Sequence, residues 1–229
     1  MTERPAVPDV KVCGLMGHQD AAAAVDAGAR YLGVILAPGF RRSVTPGEAH
    51  VILGSLQARR VGVFVDAAED QMAAAARTAG VEVLQLHGDE PPELAARLRA
   101  AGWEVWKAVR ARGADDFSAA VRRYAGAADA LLLDGYHPST HGGAGARFPW
   151  EEVAARLHEL PAGMRLVAAG GLRPGNVAEA VRVLRPHAVD VSSGVESAPG
   201  VKDPRAVRDF VRAARSLSGP PSGPGSTRE

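Results

Sequence analysis

The chain has 229 residues, enough for one large domain, and its 46% hydrophobic content is ordinary for a globular core. Lys+Arg 27 against Asp+Glu 26 leaves a formal charge of +1, so bulk charge gives no reason to expect nucleic acid or an anionic membrane as partner. One cysteine excludes an intrachain disulfide and a Cys-based zinc cluster, and no run of about 18 apolar residues is present to span a membrane.

Residues 1–8 are polar and carry prolines, unlike a signal peptide, and are expected to be a flexible segment of a cytoplasmic protein. Val10-Lys11-Val12-Cys13-Gly14 reads as a first strand, with Lys11 and Cys13 on one face and the valines on the other. Gln19 to Ala27 reads as an Ala-rich helix stopped by Gly28, and Tyr31 to Leu36 as a buried strand. After a loop with Arg41 and Arg42, Pro46 suits the first turn of a helix capped by Thr45. The alternation continues with strands at 61–65, 83–86, 104–109, 130–134, 166–169 and 189–191. Helices are expected at 68–79, 91–101, 116–124 (capped by Asp115 or Asp116), from about Trp150, at 174–184 and at 204–216. A long loop separates Asp134 from Arg147, and the Gly/Pro/Ser-rich residues 218–229 are expected to be disordered.

About eight strand–helix units in this length predict a single-domain (β/α)8 barrel, a TIM barrel, over residues 9–217. The near-continuous apolar strands fit burial on both faces. An open doubly wound sheet is the alternative, but Gly14-Leu15-Met16-Gly17 is not the glycine fingerprint it would favour after its first strand.

Barrel active sites lie at the C-terminal ends of the strands, which gathers Cys13, His87, Asp134, Gly170-Gly171 and Ser192-Ser193-Gly194 at one mouth. Glycine pairs and Ser-Ser-Gly after strands seven and eight suit phosphate, because backbone N–H groups can approach the anion there. Either alone would pass as an ordinary tight turn. An aspartate that closes an apolar strand, as Asp134 does above Leu132, loses hydration and is suited to donate a proton. Cys13 beside an ammonium is a nucleophile, a base or simply a small buried hydrophobe. Gln85 and His87 share a strand face, as do Asp190 and Ser192, and each pair can offer hydrogen bonds to substrate hydroxyls. A histidine that closes a strand can equally be a solvated turn residue. Asp190 inside an apolar strand needs a partner, and Lys11 on the adjoining first strand is the candidate. Arg42 offers a fork for carboxylate or phosphate, although loop arginines are commonly solvated charge. No spacing suggests a metal site: His137 and His141 have no matching carboxylate spacing nearby, and His18, His50, His158 and His187 lie in expected loops or helices.

Several strand-end motifs occur together: Lys-Val-Cys-Gly (11–14), Leu-Gln-Leu-His-Gly-Asp-Glu (84–90), Leu-Leu-Asp (132–134), and Gly-Gly-x-Gly (142–145). Ala-Gly-Gly-Leu-x-Pro-x-Asn-Val (169–177), Asp-Val-Ser-Ser-Gly-Val-Glu (190–196) and Pro-Gly-Val-Lys-Asp (199–203) complete the set. On these motifs the chain resembles the phosphoribosylanthranilate isomerases of tryptophan biosynthesis over roughly residues 10 to 215. The resemblance implies an Amadori rearrangement without cofactor or metal, with Asp134 as general acid and Cys13 as general base. Lys11 would help Cys13 reach the thiolate and would also bind substrate, and Arg42 would contact the anthranilate carboxylate. Gln85, His87 and Asp190 would face the sugar chain, and Gly170, Gly171, Ser192, Ser193 and Gly194 would hold the phosphate. The partner implied is the small-molecule substrate alone, bound by a monomer or a homodimer.

Related barrels fit less well. The histidine-pathway isomerases carry an aspartate where Cys13 stands, the indoleglycerol-phosphate synthases need a Lys and Glu set not evident here, and ribulose-phosphate epimerases need metal ligands. A binding barrel without turnover is the non-enzymatic alternative, separable by assay. The chain departs from the family pattern at Leu15 to Asp20, at Pro149 where Phe-Asp-Trp is usual, and in the Tyr136 to His141 insert. These departures bear on loop dynamics and affinity rather than on reaction type.

Overall fold

The computed structural model describes residues 7–135 and 149–216. The expectations for residues 1–6, the 218–229 tail and most of the loop after Asp134 lie outside the described residues, including His137, His141 and Gly142 to Gly145.

Eight parallel strands close in chain order into a barrel: β1 (Asp9–Val12), β2 (Tyr31–Ile35), β3 (Arg59–Phe64), β4 (Val83–Leu86), β5 (Glu104–Ala111), β6 (Ala130–Gly135), β7 (Arg165–Ala169) and β8 (Ala188–Val191). Helices alternate with them: α1 (His18–Asp26), α2 (Pro46–Leu53), α3 (Glu69–Ala79), α4 (Pro92–Ala100), α5 (Ala114–Tyr124), α6 (Trp150–Arg156), α7 (Val177–Leu184) and α8 (Pro204–Arg215). Among the described residues no helix is long and apolar enough to cross a membrane.

Strand alternation sorts the side chains into two cores. Outward-facing Val10, Val12, Leu32, Val34, Leu84, Leu86, Leu131 and Leu133 pack against the helices. Tyr31, Val61, Val83, Trp106, Leu132 and Val167 fill the barrel interior. Tyr31 and Trp106 meet edge-on with ring centroids 4.9 Å apart, a geometry that adds roughly 0.5–1.5 kcal/mol to their burial. At the N-terminal end Glu104 accepts from Arg59 and Arg165, so the closed end is tied by charge on a rim facing away from the site.

Local signals explain most boundaries. Thr45 and Glu48 form a reciprocal capping box that starts α2 where the sequence predicts. Gly80 ends α3 in the left-handed region. Two starts differ from expectation. Helix α5 begins at Ala114, after Gly113, because Asp116 acts from inside the first turn, where its carboxylate accepts the Arg112 N–H. Helix α7 begins at Val177 and not at Pro174, because Asn176 accepts from the Arg173 N–H and donates to the Gly171 carbonyl, which keeps this segment a turn. An unpredicted antiparallel hairpin, β9 (Glu196–Ala198) and β10 (Val201–Lys202), follows β8.

Candidate active site

A cavity of about 350 Å³ opens at the C-terminal ends of the strands. Its lining includes Cys13, Gln85, His87, Arg110, Leu132, Asp134, Gly170, Gly171, Asp190 and Ser192 to Gly194. Strand ends far apart in sequence therefore meet at one mouth, as a barrel requires.

Asp134 projects inward from β6 above Leu132, with about 30% of its side chain exposed. Its Oδ2 lies 3.2 Å from His87 Nε2, and His87 Nδ1 lies 2.9 Å from Gln85 Nε2. With Gln85 donating to Nδ1, the ring proton sits on Nε2 and points at the aspartate. Gln85 is buried and its Oε1 has no partner among the described residues.

Cys13 follows β1 on the other side of β7 and β8, 7% exposed. Beneath it, Lys11 is fully buried and donates to Asp190 Oδ1 at 3.0 Å across the β1–β8 seam, where the two residues pair in register. Lys11 was expected to bind substrate, but burial keeps it under the cavity floor, in contact with the Cys13 thiol. Asp190 does border the cavity. Burial pushes the Cys13 thiol up from its ordinary value; the Lys11 ammonium pulls the other way without overcoming it, and Asp190 adds to the rise. Lys11 thus favours the thiolate without bringing the thiol below its ordinary value. Room for the pair comes from Gly33 on β2, a residue the sequence did not single out. A Cβ there would lie 2.9 Å from Cys13 Sγ and 3.1 Å from Lys11 Nζ.

The two turns expected to hold phosphate touch one another. A Cβ at Gly194 would sit 1.9 Å from the Leu172 carbonyl oxygen, so only glycine lets the loop after β8 rest on the loop after β7. Gly170, at φ +79°, brings the end of β7 against Gly135 and the Asp134 carboxylate. Residues Ser193–Val195 form one 3-10 turn, whose first N–H groups have no acceptor inside the turn.

Arg42 is not part of the cavity wall. Its Nε and one terminal nitrogen donate to the two oxygens of Glu196, at 2.6 and 2.7 Å. Burial alone would raise the Glu196 pKa, but hydrogen bonds from Arg42 and Lys202 overcome it and hold the carboxyl at about 2. Lys202 Nζ donates both to Glu196 at 2.9 Å and to the Ser192 carbonyl at 3.1 Å. Among the described residues no group of three His, Cys, Asp or Glu side chains is arranged to hold a metal ion.

A family model described as N-(5'phosphoribosyl)anthranilate (PRA) isomerase matches residues 10–213. The chain belongs to the phosphoribosylanthranilate isomerase family. It is 46% identical over 217 residues to the N-(5'-phosphoribosyl)anthranilate isomerase of Myxococcus xanthus, covering 91% of this chain and 97% of that one. Its fold superposes on the phosphoribosyl anthranilate isomerase of Thermotoga maritima with a TM-score of 0.80 at 36% identity, over 90% of this chain and 98% of that one. A phosphoribosyl anthranilate isomerase in complex with reduced 1-(o-carboxyphenylamino)-1-deoxyribulose 5-phosphate matches at TM-score 0.78 and 33% identity, with the same coverage. As a phosphoribosylanthranilate isomerase, the chain converts N-(5'-phosphoribosyl)anthranilate into 1-(2-carboxyphenylamino)-1-deoxyribulose 5-phosphate, an aldose–ketose isomerisation in tryptophan biosynthesis.

Proposed function

We propose that this isomerisation runs with Asp134 as general acid and Cys13 as general base. The observation that carries the reading is that both side chains line one cavity, whose wall also includes Gly171 and Ser192 to Gly194. Asp134 passes its proton to the furanose ring oxygen. The bond from C1′ to that oxygen breaks as the nitrogen lone pair forms a protonated Schiff base. The Cys13 thiolate then removes the C2′ proton, and the electrons move to neutralise the nitrogen and give an enolamine. Tautomerisation to the ketone completes the reaction, and the scheme uses no cofactor.

The second step requires thiolate, which burial disfavours. Lys11 supports that form from below, as a neighbour of Cys13 and not of the substrate. After the first step the His87 N–H stabilises the Asp134 carboxylate. The unpartnered Gln85 Oε1 suits a sugar hydroxyl, and Asp190 offers a second acceptor. The phosphate is held by backbone N–H groups around Gly170, Gly171, Ser192, Ser193 and Gly194. Arg42 takes the anthranilate carboxylate through the guanidinium donors that Glu196 leaves free. The enzyme works in the cytoplasm on this small molecule, as a monomer or a homodimer.

The test uses Cys13→Ala and Asp134→Asn. Each is expected to lower kcat by about 10²–10⁴-fold, the usual contribution of a positioned acid or base. Binding of the reduced product analogue should change by no more than a few fold. Near-normal turnover in either variant would remove that residue from the mechanism.

A further inference from the structure

The short hairpin after β8 has no role in the scheme above, yet it carries Glu196, which grips Arg42, and Lys202, which anchors Glu196. Glu196 stands on β9 with 7% of its side chain exposed, and it takes the guanidinium through both oxygens. A fork of this kind fixes the plane of the guanidinium as well as its position. Lys202 on β10, with 1% of its side chain exposed, anchors the same carboxylate and reaches on to the Ser192 carbonyl. The Arg42 stem crosses the chain where β1 turns off the barrel. A Cβ at Gly14 would lie 2.6 Å from Arg42 Cδ and 3.0 Å from Ser192 Oγ. The hairpin thus joins the arginine to the phosphate turn, and two buried charges with little access to water need a reason to be there.

We propose that Glu196, anchored by Lys202, is a positioning residue that aims Arg42 at the substrate's aromatic carboxylate and so sets selectivity for that group. The proposal rests on the reading that Arg42 binds the carboxylate. With its carboxyl at about 2, Glu196 is ionised near neutrality. The orientation of Arg42 therefore does not depend on pH near neutrality.

The experiment measures the affinity of two probes, the reduced product analogue and the same molecule without its aromatic carboxylate. The proteins are the parent enzyme, Glu196→Gln, Arg42→Ala and the double variant. Glu196→Gln is expected to weaken the carboxylated probe about 30–100-fold, the lower end of the cost of disrupting a desolvated charge pair. The other probe should move less than about threefold. KM should rise by the larger factor while kcat holds within a few fold. The double variant should be no weaker than Arg42→Ala alone, because the two residues act as one device. If Arg42→Ala weakens both probes alike, the carboxylate reading falls and the proposal with it. If Arg42→Ala is selective while Glu196→Gln is indiscriminate, silent or tighter, only the proposal falls. Should Glu196→Gln fail to fold, Lys202→Met decides: a selective loss supports the positioning role and an equal effect on both probes overturns it.

Discussion

Replacing Asp190 with alanine isolates the buried ion pair at the cavity floor. Lys11 is fully buried and its ammonium donates to Asp190 at 3.0 Å. Removing the carboxylate leaves an uncompensated charge among barrel side chains, which typically costs about 3–5 kcal/mol. For a domain of this size that is a fall in Tm of roughly 6–20 °C. Urea unfolding at pH 7, followed by tryptophan fluorescence from the interior residue Trp106, measures it. The cost should depend on pH with a definite sign. In the parent, burial lowers the Lys11 pKa but Asp190 and Cys13 raise it further, so the net shift is upward. The pair's stabilisation is therefore full below the ordinary lysine range and lost as pH rises through the folded value. In Asp190→Ala, burial loses its main counterweight and Lys11 sheds its proton more readily folded than unfolded. The deficit should therefore shrink between pH 7 and pH 10. The double variant Lys11→Met with Asp190→Leu should regain most of the lost stability, because it removes both charges, while activity stays low. A deficit below about 1 kcal/mol at pH 7, or one that stays constant to pH 10, would refute the account of Lys11 as a charged, dry partner of Asp190.

Three further outcomes follow from the same geometry. Because burial raises the Cys13 thiol above its ordinary value, kcat/KM should climb with pH through the neutral range, approaching about tenfold per unit, and level off only above the usual thiol range; a profile flat from pH 7 to 9 counts against thiolate as the base. Gly33→Ala sets a methyl 2.9 Å from Sγ and 3.1 Å from Lys11 Nζ, and should cut kcat on the order of 100-fold, as small misplacements of reacting groups do; unchanged turnover would mean that the pair tolerates displacement. Thr45→Ala breaks the α2 capping box and should cost about 0.5–2 kcal/mol in urea titration, with KM unchanged; a shift in KM would tie this cap to the placement of Arg42.

Much of the fold is legible in local chemistry. Apolar runs ending in glycine or aspartate mark the strands, and Thr45, Gly80 and Pro204 mark helix ends, because propensity and capping act within a few residues. The barrel then follows from counting units, and the barrel puts Cys13, His87, Asp134 and the two glycine turns at one mouth. The short hairpin escaped notice because Glu196 to Lys202 has too few residues for a periodic signal. The late start of α7 escaped because Pro174 is a good helix opener and only the Asn176 side-chain bonds override it.

On its own the sequence determines which residues carry reactive groups, which strand ends they stand on and which family the motifs resemble. Tertiary structure decides what each group meets. Lys11 and Asp190 are 179 positions apart, and Arg42 and Glu196 are 154 apart. The expected barrel already offers Lys11 to Asp190, and closure of β1 on β8 makes that pair; nothing local pairs Arg42 with Glu196, which the fold-back of β9 and β10 brings together. The same closure buries Lys11 beneath the cavity, against Asp190 and the Cys13 thiol. It makes Gly33 the space in which the thiol and the ammonium meet. Burial, the quantity that raises the Cys13 thiol and hides Lys11, is a property of packed neighbours and cannot be read from the residue alone.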